Sequence, residues 1–144
     1  MTTKKYTANC ASVEVNEFGI VEITYKDDLQ ITLTDVQELE EIFLEISEGK
    51  VLYTMMIANG KMYKFTPDAQ EFLSKKSEVN DLIQASAIVL DSLQIRILAK
   101  FFIRFYKPKY LTKIFANKSK AIDWLLEEKE AHSNHASTES GVEV

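Results

Sequence analysis

A chain of 144 residues with 46% hydrophobic side chains, four glycines and two prolines can bury one sizeable core, and too few chain breakers are present for extensive disorder. It has no apolar run of about 18 residues and no apolar stretch behind Met1-Thr2-Thr3-Lys4-Lys5, which argues against a membrane span or a secretory leader. The lone cysteine, Cys10, leaves no internal disulfide, and together these features predict a cytoplasmic protein of one domain.

The formal charge of −5 conceals a separation of signs. Between Glu14 and Glu48 the only base is Lys26, whereas from Ser92 to Ile122 every charged residue is Lys or Arg. Such a molecule has two unlike surfaces, one suited to acidic partners and one to basic ones.

Residues 1–9 show no period and are expected to be a flexible N-terminus. Ala11, Val13 and Val15 then alternate with Ser12, Glu14 and Asn16. After the turn Glu17-Phe18-Gly19, Val21, Ile23 and Tyr25 alternate in the same way, so the two runs read as a hairpin of half-buried strands. Leu29 to Leu33 is a short extended piece. Thr34 and Gln37 fit a capping box that opens a helix from Asp35 to about Ser47. That helix puts Val36, Leu39, Ile42, Phe43 and Ile46 on one face, largely opposite Glu38, Glu41, Glu45 and Glu48, and Gly49 ends it.

Val51 to Ala58 is a continuous apolar run too short for a typical helix, which predicts a central strand covered on both faces. Asn59-Gly60 turns the chain. Thr66-Pro67-Asp68 supplies an N-cap, a first-turn proline and an acid for a helix reaching about Lys76, and Val79 to Ile83 reads as a second short helix or turn. A strand at Ala85–Leu90 leads into a helix at Leu93–Tyr106, with Asp91 and Gln94 as its cap pair. A strand at Tyr110–Phe115 and a helix from Lys118 to about Lys129 follow. Residues 131–144 are a polar tail with nothing to bury. The order predicts an α/β domain over residues 10–130. Its sheet is mixed, mostly parallel and five-stranded, with an N-terminal hairpin, right-handed crossovers and about four helices.

At 100° per residue, Ile95, Leu98, Phe101, Phe102, Phe105 and Tyr106 share an arc of about 140°, a core-facing stripe. Arg96, Lys100, Arg104 and Lys107 share about 80° on the other side, with Leu93, Ile97 and Ile103 in or beside them. The long basic stems can cover these apolar residues. Alternatively Arg96, Lys100, Ile103, Arg104 and Lys107 form a contact surface for an acidic protein, an anionic membrane or a second copy of this chain.

Acids abound enough for a paired-carboxylate site, but Glu38, Glu41 and Glu45 read more simply as a solvated helix face, and catalysis is not expected. The chain's only histidines, His132 and His135, lie in the tail, so no histidine-based triad can be built inside the domain. Their H-x-x-H spacing lacks a third ligand, and the glycines are too scattered for a phosphate-cradling loop. The expectation is a non-enzymatic protein with no cofactor, no metal and no catalytic residue. Nucleic acid is also disfavoured, because the aromatics between Arg96 and Lys113 fit a helix core better than a stacking platform.

Ala85-Ser86-Ala87-Ile88-Val89-Leu90-Asp91-Ser92, Leu98-Ala99-Lys100-Phe101-Phe102, Lys107-Pro108, Phe115 and Ala121-Ile122-Asp123-Trp124-Leu125 together resemble the SpoIIAA-like proteins over about 120 residues. The resemblance implies an α/β sandwich related to STAS domains and to the lipid-binding half of CRAL-TRIO proteins. It implies a non-catalytic module, some members of which have a cavity for nonpolar molecules. STAS antagonists of anti-sigma factors carry a phosphorylatable Ser after the third strand. Here that place reads Asn59-Gly60-Lys61-Met62, with no hydroxyl residue until Thr66, so such a regulatory partner-binding role would lack its phosphoserine. A nonpolar ligand is expected between the sheet and the helices starting at Thr66 and Asp91. There Met55, Met62, Tyr63, Phe65, Phe72, Phe101, Phe102, Phe105 and Tyr106 could meet, although Met and aromatic residues at these spacings also suit plain core.

Overall fold

In a computed structural model of the chain the described residues are 4–26, 30–58, 64–106 and 109–142, with side chains at all of these but 98, 101, 102, 104–106 and 134–142. Strands β1 (Lys4–Thr7), β2 (Ala11–Val15) and β3 (Val21–Tyr25) form an antiparallel meander. A two-residue strand β4 (Gln30–Ile31) leads into helix α1 (Leu33–Ser47), which crosses over to β5 (Leu52–Ala58), parallel to β3. Next come β6 (Lys64–Phe65), which pairs with β4 in a separate small sheet, and α2 (Pro67–Glu71). A π-helical turn (Phe72–Lys76) and a 3-10 turn (Glu78–Asp81) complete that crossover to β7 (Ile83–Leu90). Helix α3 (Leu93–Tyr106) returns to β8 (Leu111–Phe115), and α4 (Lys118–Val142) closes the fold. The main sheet runs β1-β2-β3-β5-β7-β8, and its last four strands are parallel.

The architecture is the mixed, mostly parallel α/β domain expected, with four local differences. The main sheet has six strands because Lys4–Thr7, expected to be loose, pairs with β2. Only Tyr6 of that strand packs on the core, while exposed Lys4 and Lys5 mask the alternation and protect an edge from pairing with other chains. The closing helix runs to Val142 through the polar tail, whose residues include no Pro and no Gly before Gly141. The cap of α1 falls two residues earlier than expected. Thr32 is the N-cap and Asp35, not Gln37, closes the box. Likewise Ser92, not Asp91, caps α3, its hydroxyl accepting from the Ile95 N–H at 3.5 Å.

Two clusters hold the layers. On one face, β2 and β3 residues Ala11, Val13, Val21 and Ile23 pack with Val36 and Leu39 of α1 and Ala69 of α2. On the other, Tyr53, Met55, Ala85, Ala87 and Val89 pack against Ala121 and Leu125 of α4. The Ala side chains let the helix approach closely, so Leu125 is wholly buried. Polar ties fix α4 to the β2–β3 hairpin. Lys118 meets the largely buried Glu22 carboxylate at 2.7 Å, Asn16 donates to the same carboxylate at 2.8 Å, and the Lys129 ammonium donates to the Phe18 carbonyl at 3.2 Å.

The start of α1 fastens the N-terminal strands. Asp35 is buried; its carboxylate accepts from the Thr32 N–H at 3.0 Å and from the Asn9 amide at 2.9 Å, while Glu38 accepts from the Asn9 N–H at 2.8 Å. The Thr32 and Asn9 hydrogen bonds hold the Asp35 carboxyl below its ordinary value. Burial, aided by the nearby Asp35 charge, pushes the Cys10 thiol up to about 11. Cys10 is therefore a core residue with negligible thiolate at neutral pH.

Two outcomes follow. Asp35→Ala should destabilise the domain by about 1–2 kcal/mol in chemical denaturation at pH 7. Because the native carboxyl titrates lower than the unfolded one, its contribution is complete above the ordinary carboxylate range and fades as pH falls through the lowered native value. The gap between wild type and variant should thus close in acid; a gap constant down to pH 2 would contradict the assignment. Cys10 should react with a thiol reagent at pH 8 no faster than the domain opens, and rapid labelling of the folded protein would contradict its burial.

Candidate functional site: a cavity beneath α2 and α3

A cavity of about 670 Å³ lies between the sheet and the helical layer. Its volume is within the range of about 300–1,000 Å³ typical of small-molecule sites. The floor comes from three adjacent parallel strands: Met56 of β5, Ser86 and Ile88 of β7, and Thr112 of β8. The roof comes from Phe65 of β6, Pro67 and Gln70 of α2, and Leu73 and Ser74 of the π-helical turn. Ile103 of α3 and Tyr110 complete the walls. A π-helical turn carries one more residue per turn than its flanking helix and often accompanies functional sites. Here it brings Leu73 and Ser74 to the cavity. Lys64 and Lys109, both exposed, also line it, and no Asp or Glu is among its described lining residues.

The floor has an ordered polar row. Thr54 is the register partner of Ser86 on β7, and Ser86 that of Thr112 on β8, so three hydroxyl residues cross three strands on one face. One step along, Met56, Ile88 and Ile114 form the matching apolar row. Thr54 and Ser86 are buried, and the Thr54 hydroxyl donates to the Ser86 hydroxyl at 2.9 Å. Thr112 donates its own proton to the Tyr110 carbonyl at 3.2 Å. Burial raises the Tyr110 phenol above its ordinary value, so this wall residue stays neutral at physiological pH.

Of the residues expected to line a ligand pocket, Phe65 does so. Met55 does not. It is wholly buried on the opposite face against α4, because strand alternation directs its neighbour Met56 to the cavity. Phe72 packs instead with the cluster beneath α1. Met62 and Tyr63, and the side chains of Phe101, Phe102, Phe105 and Tyr106, lie outside the described residues, as does the Asn59–Met62 segment compared with the STAS phosphorylation site. Gln30, Ser86, Ile88 and Thr112 were not anticipated. Their signal is a single Ser or Thr inside each of three strands, at Thr54, Ser86 and Thr112.

The basic stripe of α3 is only partly a free surface. The Arg96 guanidinium donates through Nη1 to the Leu90 carbonyl at 2.7 Å, so it secures the start of its own helix. Ile103 turns to the cavity. Lys100 is exposed, and beside it Leu93 and Ile97 are 64% and 59% exposed. The side chains of Arg104 and Lys107 are outside the described residues. His132 is exposed on α4, and among the described residues no three His, Cys, Asp or Glu side chains group as metal ligands. No helix among the described residues is long and apolar enough to cross a membrane.

Comparison with solved structures finds a crystal structure of an uncharacterized protein of the DUF3478 family, from Shewanella loihica PV-4, with a SpoIIAA-like fold. The TM-score is 0.53 at 12% identity, covering 86% of this chain and 92% of that one, a likeness of fold. No curated protein matches the chain. The family model that matches, over residues 15–129, is that of a domain of unknown function, DUF7793. With that match spanning all three crossovers, the cavity floor and the start of α4, the chain belongs to the DUF7793 family and has a SpoIIAA-like fold.

Proposed function

We propose that this domain is a non-catalytic binding module whose cavity beneath α2 and α3 accepts a nonpolar small molecule. The observation that carries the reading is the cavity itself. It is a partly open space of about 670 Å³ with Met56, Phe65, Leu73, Ile88 and Ile103 on its walls, a size and lining suited to a small nonpolar molecule. Support for non-catalysis comes from thiol and imidazole: the Cys10 thiol is buried and pushed up to about 11, and neither Cys10 nor the exposed His132 on the far helix is among the described cavity residues that could activate its hydroxyls.

The neutral fluorophore N-phenyl-1-naphthylamine should bind wild type saturably. Ile88→Phe and Ile103→Trp, which fill the space from floor and roof, should each weaken it at least about tenfold with little change in thermal midpoint. Equal binding in all three proteins, or none in wild type, would refute a cavity function. Native mass spectrometry of gently purified protein should show an added nonpolar mass that denaturation removes.

A second reading is favoured by the outward face of α3, where Leu93 and Ile97 are exposed one turn apart beside Lys100. We propose this strip as a contact for an acidic protein surface. One is offered by a second copy of this chain, whose α1 displays Glu38, Glu41 and Glu45 among exposed and half-exposed residues. That arrangement would suit a regulatory interaction module, and an anionic membrane is the competing acceptor. The triple variant Leu93→Glu, Ile97→Glu, Lys100→Glu should lose salt-sensitive self-association in sedimentation experiments. Identical sedimentation of wild type and variant would remove the homodimer, and binding of wild type alone to phosphatidylserine vesicles would assign the strip to membrane instead.

A further inference from the structure

The geometry points to an apolar alcohol as the ligand: a hydrocarbon body carrying a neutral hydroxyl that accepts from Ser86 and donates to Thr112. This rests on the cavity reading above and names the polar group that the reading leaves open. Ser86 is 2% exposed and lines the cavity, and Thr54 donates to its oxygen at 2.9 Å. Each hydroxyl carries one proton, and the bond between them uses that of Thr54. With Thr54 as the donor, the Ser86 hydroxyl makes no further hydrogen bond among the described residues, and its proton can turn to the cavity it lines.

Thr112 presents the complementary group. Its proton goes to the Tyr110 carbonyl, which leaves lone pairs on its oxygen in the same row. Neighbouring strands lie about 4.8 Å apart, so one ligand oxygen seated between the two residues can reach both. An ether or ester oxygen could only accept, and an amine would bring a cation to a cavity lined by Lys64 and Lys109 without a carboxylate. A carboxylate would be drawn to the exposed Lys64 and Lys109, but seated at the Ser86–Thr112 row it would pay a far larger desolvation cost and would face the Thr112 lone pairs. A neutral hydroxyl matches both neighbours.

The test is displacement of N-phenyl-1-naphthylamine from the full chain by 1-decanol, n-undecane and decanoate. The proteins are wild type, Thr112→Val, and Thr54→Val/Ser86→Ala, the last removing both buried hydroxyls so that neither is orphaned. Each variant should weaken decanol binding roughly three- to tenfold, the scale of one neutral hydrogen bond, while leaving undecane binding as strong or stronger. Equal losses for both ligands, or none for decanol, would overturn the alcohol assignment while leaving the cavity reading intact. Decanoate binding tighter than decanol, and abolished in Lys64→Gln/Lys109→Gln, would also overturn it by moving the anchor to the lysines. Failure of all three ligands to displace the probe from a protein that binds it would defeat the alcohol assignment. Failure of the probe itself to bind would defeat the cavity reading.

Discussion

The alternation of side chains along β5 and β7 governs the rest of the molecule. Tyr53, Met55 and Ile57 on one strand and Ala85, Ala87 and Val89 on the next point to α4. Thr54, Met56, Ser86 and Ile88 point the other way, toward the layer made by α2 and α3. Because the period is two, a slip of one residue would exchange the faces, placing the hydroxyl row against α4 and Ala85 and Ala87 over the cavity. The register of seven paired positions between these strands, with one irregularity between Leu52 and Tyr53, fixes which side is filled and which is hollow.

The two sides are finished differently. On the α4 side, small Ala residues admit the helix closely, and the Lys118–Glu22 ion pair and the Lys129–Phe18 contact tie it to the antiparallel hairpin. On the other side, α1 covers β2 and β3 with its own apolar face. The shorter α2 passes into a π-helical turn, and α3 lies against β7 and β8. Between them, among the described residues, lies the cavity. The face that α1 closes over one half carries the cavity over the other.

The sequence made the order of elements legible through local chemistry. Thr66-Pro67-Asp68 opens α2 as expected, and the apolar runs at Val51–Ala58 and Ala85–Leu90 are the central parallel strands. What escaped was decided by tertiary contact. Lys4 and Lys5 hide a strand that exists because Tyr6 finds a core and β2 offers an open edge. Thr34 and Gln37 imitate a capping box two residues beyond the one that Thr32 and Asp35 make with Asn9 as a third partner.

The site was less legible because a strand buried on both faces carries no polar mark to show which residues point where. Met55 and Met56 cannot be told apart by composition, yet one lies under α4 and the other in the cavity. Thr54, Ser86 and Thr112 supply the missing phase once their register is known. The direct measurement is methyl-resolved NMR under xenon pressure, since xenon enters apolar cavities without needing a specific ligand. A hollow face predicts saturable shifts at Met56, Ile88 and Ile103 and none at Met55, Ile57 and Leu125. Shifts absent everywhere, or centred on the α4 side, would contradict the division of the sheet on which this account stands.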